Sequence, residues 1–354
     1  MNLVPTSEQQ EVAQGARRFL AAEERVEPGA DRSAMIPEAT WRKMADLGWF
    51  GIGISPEAGG SGGSGGPGGS GGPGGSGGSV VDQALLFREL GRGLCRGPLL
   101  GTVLGAAVAS RAGRPDIAER LMCGSETASL AEPWRDPEAV VGPTGVSGTF
   151  RMVDGSPNWV TVLAPAGAAL VTVENLYGKS VRRDLADADP SVWVQLVTGT
   201  FDPAVVAGGS DAVAIVATGR VLAAAMLVGV LEATRDASVS YVSVREQFGR
   251  PIGSFQAVKH RCADMAVRAE AAGSLLWLAA LTLAGSQPEA SRLAAGVKAL
   301  ASEYALQSAH DNVQNHGGIG FTAECSAHLY VKRALTLSVT LGSPDNLLAE
   351  VARC

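Results

Sequence analysis

Two long, alanine-rich, helix-compatible runs, Val213 to Glu246 and Phe255 to Leu283, meet at one charged and glycine-bearing break, Arg245-Glu246-Gln247-Phe248-Gly249-Arg250-Pro251-Ile252-Gly253. Pro251 removes a backbone donor, and Gly249 and Gly253 relax the backbone. A turn between two helices is the simplest structure. Two more patterns follow, Ser291 to Asn315 and Thr322 to about Thr340. Long helices with small residues for close packing predict a four-helix bundle over residues 210–354.

Upstream the texture differs. Trp159-Val160-Thr161-Val162-Leu163, Ala168 to Val173 and Val192 to Leu196 are short β-branched runs broken by Gly, Pro and Asp, which predicts a small, barrel-like β domain over 127–209. Residues 1–126 read as a helical domain. Thr6 or Ser7 caps a first helix carrying Val12, Ala16 and Leu20, Pro37 to Leu47 forms a second, and Val80 to Leu94, Leu99 to Ala109 and Ile117 to Met122 continue the pattern. The fold class is therefore mainly α with a small middle β domain. Inside the first domain, 59–79 is a Gly/Ser/Pro repeat with nothing to pack. It behaves as a flexible coil, natural or engineered, in a loop that tolerates length.

The chain has 354 residues, 46% of them hydrophobic, and a formal net charge of −6. That balance argues against a nucleic-acid surface, which rests on clustered Lys and Arg. Five scattered cysteines without a Cys-x-x-Cys pair fit a reducing, cytoplasmic setting. The N-terminus has no signal-peptide core, and no window reaches about 18 uninterrupted apolar residues, so no membrane partner is expected. His260, His310, His316 and His328 show no metal-ligand spacing.

On local chemistry, Arg245 beside an amide, an aromatic ring and glycines suits a diphosphate, because a guanidinium forks onto phosphate oxygens. An Arg at a helix end, satisfied by Glu246 or solvent, fits as well. The whole string from Arg245 to His260, with Ala263-Asp264-Met265 after it, resembles the signature of the flavin-dependent acyl-CoA dehydrogenase family. Gln314-Asn315-His316-Gly317-Gly318-Ile319-Gly320-Phe321 is similar to that family's Gln-x-x-Gly-Gly-x-Gly-aromatic turn.

The resemblance implies FAD as cofactor, an acyl-CoA as substrate and an electron-transfer flavoprotein as acceptor. It assigns Arg245, Gln247, Phe248, Gln256, Gln314, Gly317 and Gly318 to the adenine and diphosphate half of a flavin site shared across subunits. On the ring side the chain departs from the family. Ala131-Glu132-Pro133-Trp134-Arg135-Asp136-Pro137 stands where a Thr-Glu-Pro-x-x-Gly-Ser-Asp loop is usual, and Trp159 is either a ring-facing or a core residue. The family's catalytic Glu occupies one of two positions, which fall here on Leu341 and Gly219, and neither takes a proton. Glu324 and Asp211 are candidates for a relocated base or ordinary helix-end carboxylates. The resemblance thus extends to the short, base-less subunit of bacterial α2β2 heterotetramers that degrade fatty or steroid side chains, with a second dehydrogenase-like subunit supplying the Glu. A non-catalytic scaffold and a self-sufficient flavoenzyme using Glu324 are the alternatives.

Overall fold

The computed structural model describes residues 5–24, 26, 36–54, 78–136, 138–155, 158–165, 167–185, 189 and 192–353. Most of the Gly/Ser/Pro run, the Pro56-Glu57-Ala58 segment before it, Pro137 and Cys354 lie outside these residues.

Helix α1 (Ser7–Glu23) begins in a capping box: the Thr6 hydroxyl accepts from the Gln9 N–H while the Gln9 side chain accepts from the Thr6 N–H. Helix α2 (Glu38–Asp46) follows, and Ser79 and Asp82 cap α3 (Val80–Arg92) in the same way. Helices α4 (Leu99–Arg111) and α5 (Pro115–Met122) complete the first domain.

The middle domain holds β1 (Ala128–Pro133), β2 (Val140–Gly142), β3 (Gly145–Val153), β4 (Trp159–Ala164), β5 (Gly167–Thr172), α6 (Val173–Gly178), β6 (Ser180–Leu185), β7 (Val194–Phe201) and β8 (Val205–Gly208). These strands form one sheet in the order β6-β7-β3-β1-β4-β5-β8, with β2 on β3. The β1/β4 pair is parallel and sets Ala128 beside Trp159; its neighbours along the sheet are antiparallel. Val173 leaves the strand pattern because the Thr172 hydroxyl accepts from Asn175 N–H and starts α6.

Helices α7 (Gly209–Val244), α8 (Gln256–Ala284), α9 (Ala290–His316) and α10 (Ala327–Val339) are the four long patterns of the sequence. A further helix, α11 (Pro344–Arg353), lies beyond where the apolar pattern was read to end; Leu347 is its only buried residue. Helix α7 is the spine, buried against α3 and α9. Two glycines permit its crossing with α3: a Cβ at Gly91 would stand 2.0 Å from Met226 O, and one at Gly229 would stand 1.9 Å from Arg88 O. By length and composition α7 and α8 are apolar enough to cross a membrane. The apolar window of α7 is 83% buried within the protein, that of α8 only 33%.

One apolar core unites helices and sheet through residues such as Leu104, Leu170, Leu222 and Leu341. A second, with Phe150, Val162 and Val197, fills the other face of the sheet.

Candidate functional site

At one end of the bundle α7 stops at Arg245, whose N–H donates to Tyr241 O at 2.9 Å. A two-residue turn reverses the chain between β9 (Glu246–Gln247) and β10 (Arg250–Pro251). Both turn residues have left-handed backbones, Phe248 at φ 55° and Gly249 at φ 77°, as a tight hairpin requires. Glycine adopts this without penalty; phenylalanine does not. The ring it presents is 92% exposed, with only an edge contact to Phe255 at 6.1 Å.

The second motif sits close by. Tyr241 stacks on His316 with ring centroids 4.3 Å apart, and the His316 imidazole bonds Asn312 O through Nδ1 at 2.8 Å. Gly317 then ends α9 at φ 67°. Ideal Cβ atoms at Gly249, Gly317 and Gly318 meet nothing within 4 Å, so bare backbone faces open space. Arg245, Gln247, Gln256 and Gln314 are exposed as well, and among the described residues the Arg245 guanidinium forms no ion pair. The reading of Arg245 as paired to Glu246 therefore does not hold in the geometry. The surface offers a cation, side-chain amides and open glycine backbone, the chemistry that a diphosphate takes. The ring side is unlike it. Trp159 is 8% exposed and packed in the helix-sheet core, its indole N–H donating to Glu126 Oε2 at 2.6 Å.

The two positions assigned to a catalytic Glu, Gly219 and Leu341, far apart along the chain, share one volume. A Cβ on Gly219 would lie 2.7 Å from Leu341 Cδ1 and 3.0 Å from Leu104 Cδ1. The Leu341 side chain thus fills the space above Gly219, at 6% exposure. Leu341 is left-handed at φ 59°, and polar groups pin its backbone. Its N–H donates to Glu132 Oε2 at 2.6 Å, and Arg220 Nε donates to its carbonyl at 3.4 Å while forking onto Glu350 at 2.7 and 2.8 Å.

Glu132 belongs to a buried knot. Arg151 lies 3.1 Å from Glu132 Oε1 and donates to Thr340 Oγ1 at 2.7 Å. Lys298, fully buried, donates to Ser302 Oγ at 2.9 Å and to Ser338 O at 3.1 Å. Burial pushes the Glu132 carboxyl up, against the pull of Arg151 and of the Leu341 N–H. Burial draws the Lys298 ammonium down to about 7. Two strands, β1 and β3, meet α9 and the end of α10 here, so the knot fixes the sheet to the bundle at the base position. Sequence reading missed Glu132, Arg151 and Lys298 as a unit; the one signal was a lysine inside the alanine-rich α9.

The alternative base lies elsewhere. Glu324 is exposed just before α10, and that helix of 13 residues separates it from Leu341, about 20 Å along its axis. Asp211 pairs with Arg111 at 3.2 Å on the surface. Beside the base position, a cavity of about 40 Å³ is lined by Leu100, Leu130, Met226, Arg333, Leu337 and Thr340. It has room for about three waters and not for an acyl chain.

Known proteins align with this architecture. The family profile described as acyl-CoA dehydrogenase, N-terminal domain, matches residues 6–67, and that for the acyl-CoA dehydrogenase C-terminal domain matches 207–354. The acyl-CoA dehydrogenase FadE34 of Mycobacterium tuberculosis is 34% identical over 314 residues; the match takes in 87% of this chain but spans only 41% of that protein's length. The acyl-CoA dehydrogenase IpdE2 of the same organism is 31% identical over 328 residues, covering 91% of this chain and 89% of that protein. Among solved structures, a chain of the ChsE4–ChsE5 complex of M. tuberculosis superposes with a TM-score of 0.81 at 24% identity, covering 100% of this chain and 98% of that one.

Proposed function

Because the chain belongs to the acyl-CoA dehydrogenase family, we propose that it is one subunit of an unequal pair: it completes the FAD site of a second dehydrogenase-like chain, which brings the catalytic Glu. The reaction is α,β-dehydrogenation of an acyl-CoA thioester, in the cytoplasm, on a fatty or steroid side chain. FAD, when bound, accepts the hydride released from the substrate β-carbon. An electron-transfer flavoprotein then takes the electrons onward.

The observation that carries this reading is the closed base position. Leu341 packs over Gly219 where a carboxylate would have to stand, and Glu132 occupies the Leu341 N–H. Neither Leu341 nor Gly219 can take the thioester α-proton, and the Glu132 carboxylate beside them is engaged by the Leu341 N–H and Arg151. The family also uses a backbone N–H near the base to hold the enolate oxygen, and the N–H at this position already has a partner. By contrast the diphosphate side is open and fits its ligand. With FAD bound, Arg245 would fork onto the diphosphate oxygens, Gln247, Gln256 and Gln314 would supply amides, and Gly317 and Gly318 would let a phosphate approach their backbone. Phe248 lies edge-on beside them for a partner to cover. The ChsE4–ChsE5 neighbour, itself a complex of two chains, supports an unlike pair. So does α8, whose Val267 and Leu278 are exposed apolar residues on a bundle helix.

FAD stoichiometry in the co-purified complex tests the proposal. One FAD per unlike pair is expected, and Arg245→Ala should lower FAD retention about tenfold or more, the worth of one charge-assisted contact. Full retention by that variant would contradict the assignment.

A further inference from the structure

The hairpin of β9 and β10 carries a cation that the flavin assignment leaves unused. Its register sets Arg250 opposite Gln247 and Pro251 opposite Glu246. Residues directly opposite in an antiparallel pair project from the same face, and neighbours along a strand project from opposite faces. Arg245 enters the hairpin with an extended backbone, φ −72° and ψ 120°, and so shares its face with Gln247. Arg245, Gln247 and Arg250 therefore lie on one face. Glu246, the carboxylate of the hairpin, is on the other.

A second observation fixes where the Arg250 head group sits. Its guanidinium carbon lies 4.2 Å from the centroid of the Phe255 ring, close enough for the ring face to hold the cation. Phe255 is anchored in turn: it precedes the first turn of α8, and its N–H donates to Ile252 O at 3.1 Å. The next residue is Gln256. Arg250 is thus bracketed by two residues of the flavin assignment, Gln247 across the hairpin and Gln256 beside its platform. It is exposed and, like Arg245, forms no ion pair among the described residues.

Charge supplies the demand. Each phosphate of a dinucleotide's diphosphate bridge carries a negative charge, and Arg245 is the single cation among the residues assigned to it. A guanidinium already laid flat on a ring loses less freedom on meeting a phosphate than a loose side chain does, and its N–H edges stay free to fork.

We propose that Arg250, held on Phe255, is the second cation of the FAD site and pairs with the phosphate that Arg245 leaves uncovered. The proposal rests on the reading of this hairpin as a flavin diphosphate surface and adds a residue to it.

The test uses the complex co-purified with an acyl-CoA dehydrogenase-like partner that carries the catalytic Glu, with FAD dissociation followed by flavin fluorescence. Arg250→Ala should weaken FAD binding about tenfold, the worth of one charge-assisted contact, at an unchanged subunit ratio. Arg250→Lys keeps the charge without the planar stack and should fall between. Phe255→Leu removes the ring beneath the guanidinium and should weaken binding about two- to fivefold. Raising sodium chloride from about 0.05 to about 0.5 M should weaken the wild type more than Arg250→Ala, because the variant has one fewer ionic contact to screen. Lys259→Ala removes another exposed charge, from the first turn of α8, and should cost less. Full FAD affinity in Arg250→Ala beside a weakened Arg245→Ala would overturn this proposal alone; full affinity in both would overturn the flavin reading beneath it. An equal loss in Lys259→Ala would assign the effect to the general field, and loss of the complex in place of its flavin would assign Arg250 to protein contact; either overturns the proposal.

Discussion

A methyl group added at Gly219 probes directly whether the two base positions share one volume. The added Cβ would stand 2.7 Å from Leu341 Cδ1 and 3.0 Å from Leu104 Cδ1. Both are terminal methyls, so the neighbours yield by rotation, and overpacking falls toward the low end, about 1–2 kcal/mol. Against it, alanine is favoured over glycine in a helix interior by about 0.8–1 kcal/mol. Gly219→Ala alone should therefore be neutral or destabilising by about 1 kcal/mol. Leu341→Ala empties the space and costs about 2–4 kcal/mol, as a buried leucine does. In the double variant the Gly219 methyl occupies room that Leu341 has left, so the clash vanishes and the propensity gain remains. The pair should be more stable than the sum of the singles by about 1–2 kcal/mol. Urea unfolding of the four proteins measures it. Additivity within about 0.5 kcal/mol would refute the shared volume and with it the argument that Leu341 plugs the site.

Glu132→Gln should destabilise on the order of 3 kcal/mol, because it strands the buried Arg151 guanidinium without its carboxylate; a melting temperature within a degree or two of wild type would contradict the knot. Lys298 gives a signed pH effect. Its folded ammonium titrates at about 7 against 10.5 unfolded, so between those values the unfolded chain binds more protons and stability rises with pH, by up to about 1.4 kcal/mol per unit. Lys298→Met should remove that slope, measured as urea midpoints at pH 7 and 9; an unchanged slope would mean the lysine stays charged inside. Phe248→Asp alters a side chain that is 92% exposed and should leave the lone chain's stability unchanged while abolishing co-purification with the partner; a complex surviving at full yield would remove the hairpin from the interface.

The bundle was legible because α7 to α9 are long, and their apolar patterns outlast local ambiguity. The hairpin's chemistry was legible for a different reason: Arg245, Gln247, Phe248 and Gly249 are contiguous, as are Gln314 to Gly318. The knot at the base position was not, since it joins Glu132, Arg151, Lys298 and Leu341 from β1, β3, α9 and the turn after α10. Counting along the chain located Leu341 and Gly219 separately. Only the crossing of α7 with that turn reveals that one side chain closes both. Trp159 stayed ambiguous because a strand pattern does not say which face a neighbouring helix covers; α4 covers it together with the Glu126 carboxylate. Helix α11 escaped because its Leu347, Leu348 and Val351 make too short an apolar stripe to separate from a loop.

The most direct test of the paired-subunit account is to express the chain alone and together with a candidate acyl-CoA dehydrogenase-like partner that carries the catalytic Glu, then record the visible spectrum and subunit ratio of each preparation. The account predicts a colourless lone chain and a yellow, equimolar complex that acyl-CoA bleaches. A yellow lone chain bleached by acyl-CoA would contradict it, because a chain with Leu341 over Gly219 would then be removing the α-proton unaided.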